Sequence, residues 1–146
     1  LLSKMPDARR AELEEQGLLS PLAAGSNVVV HNGVSDEEYA ELLESAHALV
    51  TASRAEGYGL PVVEAQAAGC PAVISDIDIF REIAPHAVFA SVTEDPQADA
   101  PAWGEAIRSL EDDAARDRVI LEGLQDASHY SWRDSALKLV RIVKGM

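Results

Sequence analysis

The chain has 146 residues, of which 47% are hydrophobic and 25% charged, a length and balance that fit one soluble globular domain built on its own apolar core. Twenty-five Asp and Glu against twelve Lys and Arg give a net charge of −13, a field that repels nucleic-acid backbones and anionic membranes over most of the surface and argues against nucleic acid as a partner. The single cysteine, Cys70, provides neither a disulfide framework nor a metal-ligand spacing; no run approaches the ~20 apolar residues of a transmembrane segment, and LLSKMPDARR lacks the charged-then-apolar order of a leader, so the expectation is a cytoplasmic protein.

In chain order, Pro6 at a first-turn position and Gly17 just past the end predict a helix near residues 6–16. Asn27 to His31 reads as a strand. Ser35 with Glu38 three residues on forms a capping box, and Tyr39, Leu42, Leu43 and Ala46 make the apolar face of the helix it opens. Ala48 to Thr51 follows as a second buried strand. A glycine loop through Glu56-Gly57-Tyr58-Gly59 leads into a helix opened by Pro61 and ended at Gly69. Pro71 to Ser75 is a third strand, Asp78 to Ile83 a short helix and Ala87 to Ala90 a fourth strand. Three late helices complete the chain, with Asp99, Asp113 and Ser131 as their N-caps, and Ser91 to Pro101 as a mobile loop. Short apolar strands alternating with amphipathic helices imply an α/β class: a Rossmann-like parallel sheet with helices on both faces.

The stretch from Val50 to Ala65 runs strand, glycine loop, helix. At the carboxyl ends of an open parallel sheet, a helix N-terminus presents unpaired backbone N–H groups with partial positive charge, a cradle for phosphate. Gly57 and Gly59 permit backbone angles and close approaches that a Cβ would obstruct, so main-chain amides can face a pyrophosphate in a chain of negative net charge. For a lone G-x-G an ordinary strand-to-helix turn, using glycine for geometry alone, is the better explanation. Glu56 in the loop and Glu64 near the start of the helix add something more, because carboxylates there suit the hydroxyls of a ribose or sugar ring.

The string EGYGLPVVEAQAAGCPAVISD, with NGVSDEEYAELLESAHALVTASRA upstream and IFREI downstream, resembles the C-terminal domain of retaining glycosyltransferases of family 4, which have the GT-B fold. Glu56 and Glu64 match that family's E-x7-E pattern, and the likeness runs from about Asn27 to Ser131-Trp132-Arg133. The resemblance implies a hexosyltransferase that takes a UDP- or GDP-sugar donor, with no metal cofactor. Glu56 would act catalytically beside the donor sugar, the amides of Gly57, Tyr58, Gly59 and Leu60 would meet sugar and diphosphate, and Glu64 would hold the ribose hydroxyls. Asn32, Gly33 and Val34 occupy the loop that packs against the base in such enzymes. Arg54 is the cation nearest in sequence, readable as a phosphate contact or as a solvated loop residue; the family's main Arg and Lys phosphate ligands belong upstream of this chain. Tyr58 stands where Phe is commoner, and Gln66 where Met or Leu is usual.

Asp76-Ile77-Asp78 is a D-x-D, a pattern that can hold a divalent cation between phosphates, but turn and N-cap duties account for both acids. The four histidines, at 31, 47, 86 and 129, show no ligand spacing: His47 reads as packed on its helix, and His31 ends a strand at the ligand edge. Trp103 and Trp132 read as core or domain-packing residues. Two other functions compete, a nucleotide-sugar epimerase-like domain and a non-catalytic nucleotide-sugar-binding fragment. The resemblance also implies an N-terminal domain for the sugar or lipid-linked acceptor, and first strands of this domain, beyond what the chain contains. The expectation is therefore a partial domain, inactive alone, whose sheet either brings the strands at Val28 and Leu49 together or is completed by another chain in an oligomer.

Overall fold

The computed structural model describes residues 2–3, 8, 11–12, 15 and 31–145, which fall into two compact units, Leu1–Tyr39 and Ala40–Met146. In the first unit, β1 (Leu2–Ser3) pairs in parallel with β2 (His31–Asn32). Ala8, Ala11, Glu12 and Glu15 are helical, in keeping with the opening helix; the rest of that helix, and residues 27–30 of the first expected strand, lie outside the described residues. The capping box at Ser35 forms as its spacing requires. Glu38 N–H donates to Ser35 Oγ at 3.2 Å, and Ser35 N–H donates to the Glu38 carboxylate at 2.9 Å, starting α1 (Asp36–Ser45).

The second unit is organised by one strand. β4 (Ala72–Ser75) is buried at every residue and lies between β3 (Leu49–Thr51) and β5 (Val88–Ala90) in a parallel sheet. Alternation along β4 divides the core in two. Ala72 and Ile74 pack with Val62 of α2 (Leu60–Ala67) and with Phe80 and Ile83 of α3 (Asp78–Ile83). Val73 points the other way, against Leu110, Val119 and the half-buried Trp103, Ala106 and Ile107. These last residues come from α4 (Pro96–Arg108), the 3-10 turn Ser109–Glu111 and α5 (Asp113–Ala127). A strand apolar on both faces is what a parallel sheet covered by helices on both sides demands, so the α/β reading holds.

Several expectations are corrected. The strand at Leu49 is not fully buried: among the described residues β3 lies at one side of the three-stranded sheet, and Val50 is 47% exposed. Of the two strands expected either to adjoin or to be completed by another chain, the one at Val28 lies outside the described residues; β2 pairs with β1 in the first unit and β3 with β4 in the second. Asp95, not Asp99, caps α4, because Pro96 with its fixed φ takes the first helical position and the Asp95 carboxylate accepts from Gln97 N–H at 3.0 Å. Asp99 is instead buried and accepts from Thr93 N–H and Thr93 Oγ1 at 2.7 and 2.9 Å. The loop expected over 91–101 thus shrinks to 91–95. Asp112 rather than Asp113 caps α5, accepting from Ala115 N–H at 2.8 Å; Ser131 does cap α6 (Trp132–Lys144). Trp103 joins the core and donates its indole N–H to Ser91 O at 2.9 Å, whereas Trp132 is 81% exposed on a helix with no buried residue. His47 lies beyond the end of α1 and is exposed.

Candidate functional site

Parallel register brings the carboxyl ends of β3, β4 and β5, at Thr51, Ser75 and Ala90, to one edge of the sheet. The loop 52–59 leaves that edge and enters α2 through Gly59. This residue is buried at φ +85°, in the left-handed region, and a Cβ placed on it would lie 2.7 Å from Phe80 Cε1 and 3.0 Å from Ile83 Cδ1. Both backbone angle and packing therefore require glycine at 59. Gly57 is different: it is exposed, and a Cβ there meets nothing within 4 Å, so packing within the described residues does not itself require glycine at 57.

No side chain caps the N-terminus of α2, whose second residue is Pro61. Within this first turn Pro61 has no N–H and Val62 N–H donates to Gly59 O at 2.9 Å, so the amides of Gly57 to Leu60 are the ones that meet no carbonyl among the described residues, at the positive end of the helix dipole. Around this turn the expected site residues divide. Gly57, Tyr58, Gly59 and Leu60 run continuously into the helix. Glu56 is exposed and accepts a hydrogen bond from Ser53 Oγ at 2.6 Å; Ser53 Oγ lies 3.3 Å from Thr51 Oγ1. Glu64 is exposed on the second turn of α2 rather than its first. Arg54 is drawn elsewhere: its Nη1 pairs with Glu94 at 2.8 Å and its Nη2 donates to the Thr93 carbonyl, which ties the loop after β3 to the loop after β5. Beside that tie lies an open groove of about 200 Å³ lined by Ala52, Val92, Asp99 and Trp103 among others. Asn32, Gly33 and Val34 belong to the first unit, where Asn32 closes β2 and Gly33 turns at φ +70°.

The D-x-D acids serve structure. Both arms of the Arg81 guanidinium bind Asp76, Nη2 at 2.7 Å, and this hydrogen-bonded cation holds the Asp76 carboxyl below the usual range. Arg81 also stacks 4.8 Å above the Phe89 ring. Asp78 is the first residue of α3, with Ile77 at the cap, so the N-cap role expected of it is corrected to an acid in the first turn. Among the described residues no three His, Cys, Asp or Glu side chains gather to hold a metal.

Two contributors escaped sequence reasoning. Tyr130 stands edge-on to the exposed ring of Tyr58, centroids 6.1 Å apart at 90°; a separation of 72 positions leaves no local signal for that pair. Ser53 was within reach, because S-x-x-E is a spacing at which a hydroxyl and a carboxylate meet across a turn.

Sheet, turn and uncapped helix define an open parallel α/β protein that offers backbone amides at the carboxyl edge of its strands. Residues 11–125 match the family model described as "Glycosyl transferases group 1". The chain belongs to that family, and it carries part of the C-terminal domain of the family's GT-B fold. It is 30% identical over 111 residues to the O-antigen chain mannosyltransferase B of Escherichia coli, covering 76% of this chain and 28% of that protein. It is 31% identical over 128 residues to the D-inositol 3-phosphate glycosyltransferase 1 of Catenulispora acidiphila, covering 87% and 30%. Among solved structures, the sucrose-phosphate synthase of Thermosynechococcus elongatus superimposes with a TM-score of 0.73 at 25% identity over 95% of this chain and 34% of its own. WaaG, a glycosyltransferase involved in lipopolysaccharide biosynthesis, gives a TM-score of 0.66 at 20% identity over 99% and 37%, a likeness of fold. The chain thus spans about a third of these proteins or less.

Proposed function

We propose that this chain supplies the donor site of a glycosyltransferase that moves a sugar from a nucleoside diphosphate to an acceptor hydroxyl with retention of configuration. The observation that carries the reading is the turn at Gly59, where among the described residues the amides of Gly57 to Leu60 donate to no carbonyl, at the sheet's carboxyl edge beside the exposed Glu56. In this reading those amides take the charge that grows on the diphosphate as the glycosidic bond breaks, an electrostatic contribution made without reorganisation. The departing phosphate oxygen accepts the proton of the incoming hydroxyl on the same face of the sugar. Glu56 accepts hydrogen bonds from the sugar and Glu64 from the ribose. Arg54 reaches a phosphate only by exchanging Glu94, so it is assigned a lesser part. No metal is required, since amides meet the diphosphate.

Relatives named as mannosyltransferases make mannose the first sugar to try, and one named as a phosphatidyl-myo-inositol mannosyltransferase makes a lipid-linked acceptor, held outside this chain, the first acceptor class. No helix among the described residues is long and apolar enough to cross a membrane. Calorimetry with UDP, GDP and their sugars tests donor binding, and the anomeric configuration of the product tests retention. Heat from neither nucleotide sinks the reading; inversion sinks the stereochemical part.

A further inference from the structure

We infer that Ser53 is the positioning residue for Glu56, and that Thr51 and Ser75 extend its hold from the exposed loop into the buried sheet. The inference rests on the donor-site reading above. Ser75 ends the central strand, is fully buried, and its hydroxyl lies 3.4 Å from the Thr51 carbonyl, which it meets as donor. Thr51 Oγ1 is 3.3 Å from Ser53 Oγ, and Ser53 Oγ is 2.6 Å from Glu56 Oε1. An ionised carboxylate only accepts, so Ser53 spends its single proton on Glu56, and Thr51 is the donor in the pair that links the two hydroxyls. The order Thr51 to Ser53 to Glu56 is therefore set by chemistry. One end is anchored at a strand end in the sheet and the other is a short, charge-assisted bond.

This arrangement matters because Glu56 has no helix or strand of its own. It stands in an exposed loop ahead of Gly57, over which there is open space, and a glutamate in such a position samples several rotamers unless a partner selects one. Ser53 selects the rotamer before substrate arrives, which lowers the barrier to reaction while adding nothing to the grip on the nucleotide.

The test is a double-mutant cycle in the active transferase with nucleoside-diphosphate mannose or glucose as donor. Ser53→Ala lowers kcat roughly tenfold to a hundredfold, the range for a hydrogen bond to a charged group, while the Kd for UDP or GDP stays within about twofold because the amides are untouched. Ser53→Thr keeps the hydroxyl and recovers most of the rate. In a Glu56→Ala background, Ser53→Ala changes nothing further, since there is no carboxylate left to place. A purely structural serine would instead lower thermal stability and keep its effect in both backgrounds, and that outcome overturns the inference. So does an active wild type whose Ser53→Ala variant is equally fast. A wild type that binds neither UDP nor GDP fails earlier, at the donor-site reading, and takes the inference down with it.

Discussion

Replacing Gly59 with alanine probes the turn on which the site is built. Two costs apply. At φ +85° an L residue carries a left-handed penalty of roughly 1–2 kcal/mol. The new methyl lies 2.7 Å from Phe80 Cε1 and 3.2 Å from Phe80 Cδ1, inside van der Waals contact, and Phe80 is itself fully buried between α2 and the sheet. It cannot swing aside, so overpacking adds roughly 1–3 kcal/mol. The sum, about 2–5 kcal/mol, is a large fraction of the roughly 5–15 kcal/mol that stabilises a typical domain. Urea unfolding followed by circular dichroism measures it as a fall in midpoint at unchanged slope. Two controls separate the causes. Gly57→Ala meets nothing within 4 Å and stays within about 0.5 kcal/mol. Introduced into a Phe80→Leu background, Gly59→Ala costs less than in wild type, because the closest clash is relieved and only the backbone term and the 3.0 Å approach to Ile83 Cδ1 are left. A loss below about 1 kcal/mol in wild type refutes the argument that both conformation and packing demand glycine.

Other consequences follow from single contacts. His86 Nδ1 lies 2.8 Å from the buried Asp126 carboxylate, and that hydrogen bond, then its charge, with Glu122 adding to it, hold the imidazole above its ordinary 6.5. A raised folded value means stabilisation fully present below about pH 6.5 and lost as pH rises through the folded value; Asp126→Asn flattens that slope in urea unfolding between about pH 5 and about pH 9, and an unchanged slope rules the pair out. Gln66 is buried against Gly123 with its Oε1 unpartnered among the described residues, so Gln66→Leu stabilises by roughly 1–2 kcal/mol by removing an unmet acceptor; a loss of stability shows that the oxygen is satisfied. In the active transferase, Glu64→Ala raises the nucleotide Kd roughly tenfold or more, on the scale of charged hydrogen bonds, whereas Glu56→Ala mainly lowers kcat. Equal effects on binding and turnover in both variants show the two roles to be wrongly divided.

Whatever depends on neighbours in sequence was legible before any coordinates. The capping box at Ser35 and Glu38, the caps and turns at Ser131 and Gly69, and the alternation of apolar strands with helices are settled by spacing and by backbone freedom within a few residues. The glycine loop between β3 and α2 was legible for the same reason, as a turn from strand into helix. Packing decided the rest. Val50 belongs to an apolar run, yet among the described residues its strand lies at one side of the sheet and it is half exposed, because strand order and not composition sets which strand is covered. Arg54 found Glu94 forty positions away, Tyr58 found Tyr130, and Asp99 ceded its cap to Asp95 to close on Thr93. Glycine at 59 reads in sequence as freedom of the backbone; only the tertiary structure shows Phe80 filling the space where any other side chain would stand. Partners distant in sequence are chosen by the shape of the assembled core, which local pattern does not encode.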